Sequence, residues 1–260
     1  MPRSVDSAVV DDVVADLADE QAALGAILGG LGEADWRRPT RCEGWEVSDV
    51  VLHLAQTDEL AIGSLTGRFA EVISELAGDA RPATSVDQGV AAMVARERGA
   101  DVADLRARWT RASDRLVSLL RDGDGSTRVE WVAGRLSLRT LATTRLAETW
   151  IHAGDVAGAV GKTIPDTDRL RLIARLAWRT LPYAFASAGR EMAGPVAFRL
   201  VSPSGAAWDL VPDQPEQTTI AGPAAELCAV AARRVDPAAT SLRAVGPDAA
   251  AVLALVRTYA

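Results

Sequence analysis

Two cysteines, two histidines, two tyrosines and three phenylalanines are all that this chain of 260 residues holds of those types, and several of these scarcities exclude a class of function. Cys42 and Cys228 lie far apart and without CxxC spacing, which rules out a disulfide framework and a cysteine-rich zinc knuckle. With only two histidines, a Ser/His/Asp or Cys/His nucleophilic site would have to use one of them, and no GxSxG elbow surrounds any serine. The GxGxxG dinucleotide fingerprint and the GxxxxGK[ST] phosphate loop are absent as well. No apolar run approaches the roughly 20 residues of a membrane span, and the opening MPRSVDSAVVDDVVADLADE turns acidic before a signal-peptide core can form. Positive charge is also short. Lys and Arg total 28 against 35 Asp and Glu, and the net charge of -7 leaves no overall electrostatic footprint for nucleic acid. These absences predict a cytoplasmic protein with neither nucleic acid nor membrane as partner; a small-molecule substrate is expected instead, and the sequence leaves open whether the protein is a monomer or a homodimer.

What is present is 48% hydrophobic and 24% charged, enough for one large core or two modest ones. Apolar residues recur at helical spacing from about residue 8 to 30, and the run closes at Gly29, Gly30 and Gly32. The stretch ADWRRPTRCEGW, with Pro39 and Gly44, reads as a connector. A long amphipathic helix follows in VSDVVLHLAQTDELAIGSLTGRFAEVISELA, with a break expected near Gly63 or Gly67. A polar region with Pro82 and Thr84 leads into VDQGVAAMVARERGADVADLRARWTRASDRLVSLL, predicted as one helix, and a fourth runs from about Ser137 to Val160.

Four long helices in about 160 residues predict a bundle, whose interior is a natural place for facing side chains to meet on a metal. After Gly161 the pattern changes. A helical segment, DTDRLRLIARLAWRTLPYAFASA, bridges to VAFRLVSP, SGAAWDLV and QTTIAG, which read as antiparallel strands separated by Pro203/Gly205 and Pro212/Pro215. A helix (PAAELCAVAARR), a short strand (TSLRAVG) and a final helix (PDAAAVLALVRTY) complete a small α+β unit. The expected organisation is mainly α with α+β: a bundle over 1–162, a bridge over 163–192 and the α+β domain over 193–260.

Both histidines sit in helices with acidic neighbours. Glu148 and His152 are four residues apart and project from one helical face, so they can hold a single ion between them. His53, on the second helix, can supply a third ligand. Two imidazoles and a carboxylate suit zinc, and three protein ligands leave a coordination position open, as a catalytic site requires. Asp49, four residues before His53, and Asp155, three after His152, are candidates to orient the imidazoles. Cys42 is a candidate fourth ligand, which would close the site and make it structural. The alternative is that both histidines are core or interhelical hydrogen-bonding residues and that Glu148 pairs with Arg145 along the surface. Trp150 points away from the Glu148 face and belongs to packing, and Trp45 is placed to seat the second helix.

The segments WRRPTRCEGWEVSDVVLHLA and TRLAETWIHAGDVAGAVG, together with the α+β tail, resemble the mycothiol-dependent maleylpyruvate isomerase family, within the wider DinB-like metal-binding bundles. The resemblance spans nearly the whole chain. It implies a zinc ion on His53, Glu148 and His152, with a bound water that mycothiol can replace. In the isomerase, the thiol adds to a cis double bond conjugated to a ketone, the adduct rotates, and thiol loss gives the trans isomer. The family also implies a substrate-holding arginine, matched by Arg234 in ELCAVAARRVDP, whereas Arg233 stands where the family usually has glycine. A pair of arginines favouring a helix C-terminus is the alternative reading of that dipeptide. Three functions follow: a zinc- and mycothiol-using isomerase or S-transferase, a metal-hydroxide enzyme that needs no thiol, and a non-catalytic protein that keeps the metal as a clip.

Overall fold

The computed structural model describes residues 5–78, 83–132 and 134–258, and of residues 5–11 the backbone only. Pro82, expected in a polar connector, lies outside the described residues. The chain divides into two compact units, Met1–Ile164 and Pro165–Ala260.

In the first unit the four long helices are α1 (Val5–Gly29), α2 (Val47–Leu65), α5 (Val102–Asp122) and α6 (Leu138–Ala159). Helix α2 packs on α5 and α6, and α1 packs on the same two, so the four form a bundle. Its core is made by Leu24, Val47, Val50, Val51, Leu54, Trp109, Ala153 and Val156, all buried. Helix α2 is covered on nearly every side, its polar residues Asp49, His53, Gln56, Thr57 and Asp58 included. Burying those groups is costly unless they are partnered.

Two shorter helices, α3 (Phe69–Ala77) and α4 (Val86–Glu97), form a pair beside α2. The break expected near Gly63 or Gly67 falls at Gly67, which takes a φ of +72° that suits glycine. One expectation is overturned: the run over 86–120 is two helices, α4 and α5. The chain turns at Gly99 (φ +88°), and Asp101 restarts it by accepting hydrogen bonds from the Ala103 and Asp104 amides at its side chain. A two-stranded hairpin, β1 (Arg128–Val129) with β2 (Leu136–Ser137), leads into α6, which Ser137 caps through its hydroxyl. Among the described residues no helix is long and apolar enough to cross a membrane.

The second unit contains α7 (Leu170–Arg179), α8 (Leu181–Ser187), α9 (Ala224–Ala231) and α10 (Ala249–Leu255) with a four-stranded sheet. The helical segment read as a bridge packs within this unit, α7 lying against α9 and β4. The strands are β3 (Val196–Val201), β4 (Ala207–Leu210), β5 (Thr218–Pro223) and β6 (Arg243–Val245), in the order β4-β3-β5-β6. The prediction of antiparallel strands holds for β3 with β4 and β5 with β6, but β3 and β5 run parallel. The reason is the return after β4: residues 211–217 bring the chain back to the start of β3, where the Gln217 amide donates to Pro195 O over 2.8 Å. Strand β5 then leaves in the direction of β3.

Helix α9 ends in an unusual cap. Arg233 has a φ of +59°, the one non-glycine in the left-handed region among the described residues. Its amide donates to Val230 O, and the Arg234 amide donates to Ala229 O, the two bonds of a Schellman motif, whose left-handed position glycine usually fills.

Candidate metal centre

Helices α2 and α6 bring three donor atoms to one point. His53 Nε2 lies 3.2 Å from Glu148 Oε2, and His152 Nε2 lies 3.7 Å from the same oxygen. One suitable atom from each of the three residues falls within 4.8 Å of the others. The two imidazoles meet edge to face, with ring centroids 4.8 Å apart. Spacing explains the α6 half: Glu148, His152 and Asp155 are four and three residues apart on one helical face.

Asp155 does what the sequence suggested for it. Its Oδ2 lies 3.1 Å from His152 Nδ1, which leaves Nε2 turned toward Glu148. Asp49 does not reach His53. Its Oδ2 accepts the Glu46 amide at the start of α2, and its Oδ1 accepts Arg98 Nε over 2.9 Å. His53 Nδ1 is buried without a hydrogen-bond partner among the described residues. Packing sets that ring's orientation, with the Trp45 ring 5.4 Å away. The surface pair of Glu148 with Arg145 is also absent: Arg145 is buried and bonds Asp58 and Thr57 instead.

Cys42 faces the far side of His152. Its thiol donates to Asp155 Oδ2 over 3.3 Å and lies 3.8 Å from His152 Nδ1. It therefore stands with the orienting carboxylate, across the ring from the Nε2 that meets Glu148. Sequence reasoning missed this contact and the Trp45 ring against His53. The PTRCEGW connector was the available signal, since it places both residues just ahead of the His53 helix.

The electrostatics favour one positive charge in the centre. Burial raises the Glu148 pKa, but hydrogen bonds from His152 and His53 outweigh it and hold the carboxyl well below its ordinary range. Burial likewise disfavours the His152 imidazolium, yet Asp155, Cys42 and Glu148 together lift its pKa well above 6.5. His53 goes the other way, to about 4, chiefly through burial, with the neighbouring His152 also lowering it. Of the two imidazoles, His152 is therefore the one whose surroundings favour the protonated form. The donor set, two imidazoles and a carboxylate, is one that divalent zinc accepts, so these residues fit the ion the sequence implied. Arg234 belongs to the second unit, where its Nη1 donates to Ala232 O over 2.9 Å at the end of α9.

Fold and donor set together define a helical-bundle protein in which two histidines and one carboxylate of α2 and α6 come together. The family model of the mycothiol maleylpyruvate isomerase N-terminal domain matches residues 17–157, and the chain belongs to that family. Two uncharacterised proteins of Mycobacterium tuberculosis, from strains CDC 1551 and H37Rv, are each 33% identical to it over 250 residues, 95% of this chain and 95% of their own. A crystal structure of the mycothiol-dependent maleylpyruvate isomerase shares the fold with a TM-score of 0.60 at 18% identity, over 90% of this chain and 92% of that one. A histidine-to-alanine mutant of that isomerase aligns with a TM-score of 0.57 at 18% identity, over 87% and 90% of the two chains.

Proposed function

We propose that this protein is a zinc-dependent enzyme that uses mycothiol, with His53, Glu148 and His152 as the metal ligands and an electrophilic small molecule as substrate. The observation that carries the reading is the convergence of His53 Nε2 and His152 Nε2 on Glu148 Oε2. Family membership supports the thiol as cosubstrate.

A divalent ion bound there supplies Lewis acidity, under which a coordinated thiol is held as thiolate at neutral pH. The remaining work falls to the chain. Glu148 brings the negative charge that leaves the loaded site at about +1, enough to favour an anionic sulfur. Asp155 fixes the His152 ring with Nε2 turned inward. The Trp45 ring packs 5.4 Å from that of His53 and supports its orientation. Arg234 of the second unit is proposed, from the family resemblance alone, as a substrate-holding residue, its guanidinium being suited to paired hydrogen bonds with an anion. When the thiol leaves again the reaction is a cis-trans isomerisation; when it stays, the reaction is S-transfer.

Elemental analysis of the purified protein beside His53→Ala tests the site. About one zinc per chain in wild type, lost in the variant, is the expected result, and the absence of metal in wild type supplied with zinc would overturn it. Mycothiol consumption then separates the two reactions: transfer uses one thiol per turnover and isomerisation uses none. Turnover without any thiol would favour a metal-hydroxide enzyme instead.

A further inference from the structure

The turn ahead of α2 presents a side chain for which the proposed chemistry has no role. Cys42 is half-buried, and its thiol donates to Asp155 Oδ2. That oxygen also faces His152 Nδ1, so a single carboxylate oxygen stands between a thiol and an imidazole. The turn is braced around this arrangement. The Cys42 amide donates to Thr40 Oγ1, the Thr40 hydroxyl and amide both donate to Trp45 O, and the Trp45 amide donates to Cys42 O. A bridge between Pro39 and Glu46 closes the base.

Cys42 Sγ, His152 Nδ1 and Asp155 Oδ2 are themselves a set of metal-ligand type, but His152 belongs to both sets. A neutral imidazole that gives its Nε2 lone pair to an ion carries its proton on Nδ1. That N–H needs an acceptor, which Asp155 provides, and the same carboxyl oxygen accepts the Cys42 thiol. A thiol is a weak donor, and its acceptor here is a carboxyl oxygen.

We infer that Cys42 is a positioning residue for the metal ligand His152, acting through the Asp155 carboxylate. The inference rests on the reading of His53, Glu148 and His152 as ligands. Cys42 locks the carboxylate, the carboxylate locks the ring, and the ring presents Nε2 to the ion. An outer partner of this kind sets metal affinity without touching the metal.

The test is zinc affinity of the full chain, measured by competition with a chromogenic chelator, for wild type, Cys42→Ala, Cys42→Ser, Asp155→Ala and the Cys42→Ala/Asp155→Ala double variant. Cys42→Ala should bind about tenfold more weakly, the lower end for loss of an outer-shell partner. Cys42→Ser, which keeps a hydrogen-bond donor, should stay within about threefold of wild type. On the Asp155→Ala background, Cys42→Ala should cost nothing further, because the group it acts through is gone. Urea midpoints of the metal-free proteins are read beside the affinities, and a lower midpoint in Cys42→Ala with zinc affinity unchanged would make the thiol purely structural.

Equal zinc affinity in wild type and Cys42→Ala overturns the inference alone. Additive losses in the double variant overturn the route through Asp155. A sulfur-to-metal charge-transfer band in the cobalt-loaded protein, lost in Cys42→Ser, makes Cys42 a ligand and overturns the positioning role. Wild type that takes up no zinc overturns the ligand reading and this inference with it.

Discussion

Arg145 Nε donates to Asp58 Oδ1 over 3.0 Å, and each of the two side chains is 1% exposed. The guanidinium also donates to Thr57 Oγ1, whose own hydroxyl donates to His53 O. A buried charge pair thus ties α6 to α2 between one and two turns from His53 and about one turn from Glu148.

Removing one partner leaves the other charge buried and uncompensated. Asp58→Asn is expected to destabilise the first unit by about 3–5 kcal/mol at neutral pH, read as a lower urea midpoint. Replacing both residues with apolar side chains of similar volume should recover most of that loss.

The same pair gives stability a pH dependence. Burial pushes the Asp58 carboxyl up to about 6 although Arg145 opposes it. A folded-state pKa above the unfolded value means the native state binds the proton more tightly. This contribution is therefore full below pH 4 and is lost as pH rises through 6. The slope attributable to Asp58 should vanish in Asp58→Asn, and an unchanged slope in the variant would assign it elsewhere.

Zinc uptake should depend on pH through His152 and not His53. His152 must give up its Nε2 proton to bind the ion, and its pKa is held well above 6.5, whereas His53, at about 4, is already neutral. Affinity should therefore climb about tenfold per pH unit upward from 6.5 until His152 is deprotonated. Calorimetry in buffers of different ionisation enthalpy should find about one proton released per zinc in that window.

Arg233 occupies a left-handed position at the end of α9. A residue with a Cβ pays roughly 1–2 kcal/mol there, partly offset by the greater unfolded-state freedom of glycine. Arg233→Gly is expected to stabilise the second unit by about 0.5–1 kcal/mol, visible as a higher urea midpoint. A lower midpoint would show that the guanidinium contributes more than its backbone costs.

The two thiols should separate cleanly in alkylation. Cys228 is buried, its pKa driven well up by burial with Asp166 adding to it, whereas Cys42 is half-buried. Iodoacetamide on the folded protein should add one label, mapped to Cys42 by peptide mass, and a second only in denaturant. Labelling of Cys228 in the folded state would contradict its packing under α7.

How much of this was legible follows from the range of each signal. The Glu148/His152/Asp155 set lies within eight residues of one helix, so helical geometry alone aligned it. The meeting of His53 with that set required a tertiary contact across 95 residues, and the family motifs carried it. Cys42 reaches Asp155 across 113 residues through a braced turn whose dihedrals no periodicity reports. The α4/α5 break was hidden because apolar spacing continues on both sides of Gly99. Arg145 was placed on the surface because a charged residue in a helix usually lies there, and its counter-charge Asp58 sits on another helix. In the tail, alternation located the strands but carries no direction, so the parallel pairing of β3 with β5 went unread.

His152 uses both ring nitrogens, Nε2 toward Glu148 and Nδ1 toward Asp155. Of the twenty side chains it is the one that presents an ion-binding lone pair and an N–H on opposite edges of a single rigid ring. Cysteine or aspartate at position 152 would supply a donor to the ion but withdraw the imidazole N–H from Asp155, while asparagine would satisfy Asp155 and ligate weakly. The position is thus closed to substitution from two independent directions. A descendant of this protein that abandons the metal should be expected to lose His152 and Asp155 together.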